Sequence, residues 1–154
     1  MDNQLTFSKF KEEDFTEYKS WYKDNLLNKE LGPMDDEWLE HALKERNGQQ
    51  YSVFQEGKLI AVVGMMFPIE GYPDLYLTDF AIKPDSRYQG IGSEVLKELI
   101  RLHPLKSGQS WKAVVNVRNT KAAAFFKKHG WSVSDEPDEH GMLAIQYKKS
   151  SQKG

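Results

Sequence analysis

The sequence predicts an α/β fold of the α+β kind: a mixed, mostly antiparallel sheet with helices on both faces. Three observations predict it. Apolar residues alternate between a helical period near 3.6 and a strand period of 2 along the chain. The resulting order is β, α, α, three β, α, β, α, two β, so hairpins stand beside β-α-β crossovers and the sheet must hold both pairings. The 154 residues, 39% apolar and 29% charged, suffice for one hydrophobic core and one domain, which we place at 1–149, with Ser150 to Gly154 as a loose tail.

Leu5-Thr6-Phe7 reads as a first strand. A helix follows from about Lys11, with Phe15, Tyr18, Tyr22 and Leu26 on one face and Glu12, Glu13 and Asp14 at its positive end. Gly32-Pro33 breaks it. A second helix starts at Asp35 or Asp36, carries Trp38, Leu39, Ala42 and Leu43, and stops at Asn47-Gly48. Tyr51 to Phe54 and Leu59 to Phe67 flank a Glu56-Gly57 turn as a hairpin. Leu75 to Ile82 is the next strand, ended by Pro84. The following helix buries Ile91, Val95, Leu99 and Leu102 and shows Glu94, Lys97, Glu98 and Arg101 to water. Lys112 to Val117 is a strand. Asn119 caps an alanine-rich helix that ends at Gly130 with Lys127, Lys128 and His129 in its last turn. Trp131 to Ser134 and Met142 to Lys148 complete the sheet.

Charge and composition narrow the function. Twenty-one basic against 23 acidic residues give a net charge of -2, so nucleic acid is not expected as a partner. The absence of cysteine removes disulfides, thiolate nucleophiles and cysteine-held zinc. His41, His103, His129 and His140 lack metal-ligand spacing, so no metal is expected. No signal peptide and no membrane span are visible, and a cytoplasmic protein is the expectation.

The chemistry is concentrated in Ala81-Ile82-Lys83-Pro84-Asp85-Ser86-Arg87-Tyr88-Gln89-Gly90-Ile91-Gly92-Ser93. A strand ends, a loop turns and an amphipathic helix begins, which aims backbone N–H groups and a helix dipole at one spot suited to phosphate. Gly90 and Gly92 let the backbone approach an anion closely. Gly90-Ile91-Gly92 is followed by Val95 where a dinucleotide fingerprint needs a small residue, and no Gly-Lys-Ser or Gly-Lys-Thr follows, so two better-known phosphate loops are excluded.

Arg87-x-x-Gly90-x-Gly92, preceded by Ala81-Ile82-x-Pro84, resembles the pyrophosphate motif of the GNAT superfamily of acyl-CoA N-acyltransferases. Asn119-x-x-Ala122, with an aromatic at 126 and Gly130-Trp131, is similar to that family's second motif. The element order agrees across nearly the whole chain. The resemblance implies a GNAT-like fold and acetyl transfer from acetyl-CoA, as cosubstrate, to an amine by direct attack. It implies that the backbone of Phe80, Ala81 and Ile82 pairs with the pantetheine arm and that an N–H there polarises the thioester carbonyl. Arg87, Tyr88, Gln89, Gly90, Ile91, Gly92 and Ser93 would hold the pyrophosphate, and Asn119, Ala122 and Phe126 would flank the pantetheine. It also allows a homodimer.

Two positions depart from the family's pattern. Position 126, usually a proton-donating Tyr, is Phe126, for which Tyr147, Tyr22 and Tyr76 are candidate substitutes. Val114 stands where some relatives carry a Glu. Asp79, on the opposite face of its strand from Phe80, is a candidate base or simply a carboxylate held by a neighbour. Asp74 and Glu70 are further candidates. The acidic group Glu30, Asp35, Asp36, Glu37 and Glu40 either attracts a cationic amine or complements helix dipoles. Trp21, Tyr22 and Trp38 line an acceptor pocket or belong to the core. The departures also keep open a CoA-binding module without catalysis, in a sensory or regulatory role.

Overall fold

The computed structural model describes residues 4–24, 34–86 and 90–148. Among them seven strands form one sheet in the order β1-β2-β3-β4-β5-β7-β6. The strands are β1 (Leu5–Lys9), β2 (Gly48–Gln55), β3 (Lys58–Met66), β4 (Leu75–Ile82), β5 (Ser110–Asn116), β6 (Ser132–Val133) and β7 (Met142–Lys148). The helices are α1 (Phe15–Ser20), α2 (Asp36–Lys44), α3 (Ile91–Leu102) and α4 (Thr120–Lys128). Only β4 and β5 pair in parallel, through the α3 crossover, and every other pair is antiparallel. The expected mixed, mostly antiparallel sheet is the observed one.

Each face of the sheet has its own core. Ile91, Val95, Leu96 and Leu99 of α3 and Phe126 of α4 pack with Val63, Met65, Leu75, Leu77, Trp111 and Val115. On the other face Phe10, Phe15, Tyr18, Trp21 and Met34 pack against Leu59, Val62 and Ala81. Trp21 and Trp38 belong to this second core: Trp38 stacks on Phe15, and Trp21 Nε1 donates to Glu17 at 2.8 Å.

Several boundaries differ from expectation for physical reasons. The helix expected from Lys11 is broken into a 3-10 turn Glu12–Asp14, α1 and a second turn Trp21–Lys23, and its expected residue Leu26 lies outside the described residues. β2 begins at Gly48 rather than Tyr51, because Gly48, Gln49 and Gln50 find ladder partners in Met66, Met65 and Gly64 despite their polarity. Likewise β5 begins at Ser110, where Trp111 meets Leu75. The apolar stripe of α3 stops short of Leu102, which is 39% exposed at the helix end.

A bulge in β4 sets up the site. Gly64 faces Asp79 while Met65 faces Leu77, which leaves Thr78 as the extra residue. The bulge resets the alternation of side chains. Leu75 and Leu77 before it, and Phe80 and Ile82 after it, all join the core on the α3 face. Asp79 is turned to the other face.

Candidate functional site

The parallel pair β4 and β5 is joined at two rungs, Leu75 to Trp111 and Tyr76 to Lys112. Beyond them the strands part, and a cleft of about 740 Å³ opens between Leu77–Ile82 and 113–116. Asp74 pins the closed end. Its carboxylate accepts from Ser110 N at 2.8 Å and lies 3.0 Å from Lys112 Nζ. Burial pushes its pKa up, but the Lys112 ammonium and the Ser110 N–H outweigh that and hold it low. Asp74 is thus a structural pin outside the cleft lining, and Glu70 lies on an exposed loop that also stays clear of it.

The first turn of α3 forms one wall. Gly90 caps the helix at φ +80, a left-handed conformation that only glycine adopts without strain. The N–H groups that follow have no intrahelical acceptor and face the cleft end with the positive end of the dipole. Gly90, Gly92 and Ser93 line the cleft. A Cβ at Gly92 would touch the Phe125 ring at 3.4 Å, so this glycine faces α4 across the cleft. Ile91 points into the core instead, and Arg87, Tyr88 and Gln89 lie outside the described residues.

α4 forms the other wall. Asn119 Oδ1 accepts from Ala122 N at 3.2 Å as the helix cap, and Asn119 also lines the cleft. Ala122, Phe125 and Phe126 present an apolar surface, and Phe126 is buried against Trp131 and Phe80. Of the strand residues named from sequence, Phe80 and Ile82 line the cleft, whereas Ala81 is fully buried on the opposite face. None of Tyr147, Tyr22 and Tyr76 is part of the lining. Val114 is, and it is 57% exposed.

Asp79 borders the cleft and faces the aromatic core of α1. A Cβ on Gly64 would lie 2.6 Å from Gln50 Oε1, 2.7 Å from Thr78 Oγ1 and 3.0 Å from Asp79 Oδ2, so three acceptor oxygens converge over this glycine. Burial raises the Asp79 pKa; the Gln50 amide and distant His41 only partly oppose it. Gln50 Nε2 itself is buried without a hydrogen-bond partner at full geometry among the described residues. Tyr18 and Tyr22 share a 2.6 Å hydrogen bond. Burial pushes Tyr22 up to about 12 and Tyr18 higher than its ordinary value, so both phenols stay neutral. A phenol at about 12 is a weak proton donor.

The acidic group splits. Asp35 accepts from Trp38 N at 3.0 Å as the cap of α2, and Glu40 pairs with Lys44 at 2.8 Å. Glu30 lies outside the described residues. Sequence reading missed Thr78, Lys121 and Phe125 as lining residues. Phe125 was findable, since it follows Ala122 at helical spacing. Among the described residues no group of three or more His, Asp or Glu is placed to hold a metal. No described helix is long and apolar enough to cross a membrane.

Residues 12–131 match the model of the acetyltransferase (GNAT) family. An acetyltransferase from Thermus thermophilus superposes with a TM-score of 0.75 at 19% identity, over 93% of this chain and 95% of that one. Spermidine N-acetyltransferase from Vibrio cholerae, in complex with CoA and spermine, gives 0.77 at 14% identity over 97% and 98%. Aminoglycoside N(6')-acetyltransferase from Legionella pneumophila gives 0.75 at 15% over 96% and 93%. At these identities the likeness is one of fold. Among curated protein sequences, none matches this chain.

Proposed function

The chain belongs to the acetyltransferase (GNAT) family and is an acyltransferase, and from that premise we propose that it moves the acetyl group of acetyl-CoA to a primary amine within a ternary complex. The observation that carries this reading is the parted β4–β5 seam, which leaves the β5-facing edge of Leu77–Ile82 without a strand partner among the described residues, above a cleft that ends on the first turn of α3. Acetyl-CoA supplies an acyl group activated as a thioester. The Phe80–Ile82 backbone would bind its pantetheine arm as an added strand. The Gly90–Ser93 turn would hold the pyrophosphate, with Lys121 and Lys128 as further cations on the lining.

Asp79 is the base this reading uses. A carboxylate whose pKa is raised by burial is better matched to taking a proton from an ammonium near neutral pH. The amine nitrogen then bonds to the thioester carbon, the C–S bond breaks, the sulfur leaves as thiolate, and the proton that the new amide nitrogen loses passes through water to that thiolate. A thiol of pKa near ~8.5 departs as thiolate without a dedicated acid, which suits the apolar Phe126.

Phe126 also favours a second reading, a module that binds CoA without turning it over. The readings part on amine-dependent release of free CoA. Calorimetric titration with acetyl-CoA, with NADH as control, comes first, followed by a thiol-release screen over polyamines, aminoglycosides and peptide amines. Tight binding with release by one amine class supports the enzyme. Binding without release from any amine supports the module, and absence of binding overturns both. Gly92→Glu is expected to abolish acetyl-CoA binding while circular dichroism stays unchanged, because the new carboxylate occupies the anion's place.

A further inference from the structure

The proposed phosphate turn is tied to a histidine that the reaction does not otherwise use. Ser93 Oγ lies 2.9 Å from His129 Nε2, linking the first turn of α3 to the residue that ends α4. Ser93 lines the cleft, and the half-buried imidazole is held edge-on to Phe125 with ring centroids 4.8 Å apart. The groups facing His129 are Lys97 and Arg101 from α3, Lys128 from α4 and Tyr147 from β7. Burial, then the charges of Lys128 and Lys97, hold the His129 pKa below its ordinary value. In the free protein the ring is therefore neutral at pH 7.

A serine hydroxyl carries one proton, and a phosphate oxygen only accepts. Once Ser93 donates to a phosphate, its Oγ offers His129 nothing but lone pairs. The 2.9 Å contact then survives only if Nε2 carries a proton. The neutral Nε2–H tautomer and the imidazolium both meet that need, and the adjacent anionic charge favours the imidazolium.

We propose that His129 is a proton-coupled positioning residue of the phosphate turn: as pyrophosphate binds, the Ser93 hydroxyl rotates toward it and the imidazole takes up one proton from solvent. This rests on the reading of Gly90–Ser93 as the coenzyme's phosphate site. The hydroxyl keeps its own proton, so the balance is one proton gained by His129 and none lost. Binding raises the pKa of His129 above its free value. Affinity is then greatest below the free pKa and falls as pH rises through the bound one, by up to about tenfold per pH unit for one linked proton.

The test is calorimetric titration with dephospho-CoA, which lacks the titrating 3′-phosphate, at pH 7 in two buffers of different ionisation enthalpy. The wild type is expected to take up a substantial fraction of a proton per coenzyme bound. H129Q keeps a donor for Ser93 and is expected to take up none, with an affinity flat from pH 6 to 8. Equal uptake in both proteins, or none in the wild type, overturns the proposal. Should H129Q fail to fold, the His129 ring is titrated by NMR in the wild type with and without dephospho-CoA. An upward move of its midpoint supports the coupling, and an unmoved midpoint overturns it. A wild type that binds neither CoA nor dephospho-CoA overturns the coenzyme reading itself, whereas binding without proton uptake overturns this inference alone.

Discussion

At the scale of single residues, the proposed role of Asp79 would set function against stability. Burial raises its pKa in the folded protein, so between the unfolded value and that raised value the folded state binds more protons than the unfolded one. Stability from this group is greatest at low pH and declines as pH climbs through that window. In the proposed mechanism, catalysis by the same group would follow the opposite course, since only the ionised form takes a proton. Asp79→Asn is therefore expected to melt at a higher temperature than the wild type at pH 7. It should still bind acetyl-CoA and lose roughly 10²–10⁴-fold in kcat/KM. A lower melting temperature with full activity would remove Asp79 from the mechanism. That Asp79 lies opposite Phe80 was legible from strand alternation; that it also lies opposite Leu77 was not, because the bulge at Thr78 resets the alternation. Nor was the convergence of Asp79 with Gln50 and Thr78, because it depends on Gly64 of a neighbouring strand and on the bulge at Thr78.

At the scale of elements, Asn119 does two jobs. Its oxygen caps α4 and the residue lines the cleft. Asn119→Ala is expected to cost about 1 kcal/mol of stability, read by urea unfolding, and to weaken acetyl-CoA binding as well. Asn119→Asp keeps the cap and should restore stability without restoring binding. The cap, the left-handed glycines at Gly90 and Gly130 and the boundaries of β4 and β7 were legible because each is written in local chemistry: a capping side chain, a glycine, an alternating run. The starts of β2 and β5 were not, since polar Gln49 and Gln50 are strand residues only through their partners in β3. Nor could the roles of Asp74 and Lys112 be read, for they are far apart in sequence and meet only across the β4–β5 seam.

For the whole molecule, the two cores share one sheet but the seam between its halves has two rungs. A coenzyme bound along that seam touches β4, α3 and α4 together and acts only on the folded state. Acetyl-CoA at a thousand times its Kd is expected to add about 4 kcal/mol to the unfolding free energy. Scanning calorimetry should show one transition moving to higher temperature with coenzyme. Two transitions, with only one responding, would mean that the halves melt apart. The overall architecture was legible because element order and crossover rules restrict the topology. The parting of β4 from β5 was not, since no local pattern marks two parallel strands that diverge.

The open edge on β4 also bears on how the protein avoids sticking to itself. A strand with unpaired N–H and C=O groups is a template on which another chain's strand can grow, the first step toward aggregates. Here the exposed stretch is only Leu77–Ile82, its start is kinked by the extra Thr78, and Phe125, Phe126 and the first turn of α3 wall it in. A bulged strand in a walled cleft is a poorer template for another chain's strand than a flat, open edge. The kink and the walls therefore blunt, by the same geometry that shapes the cleft, a backbone edge that lies in the middle of the sheet.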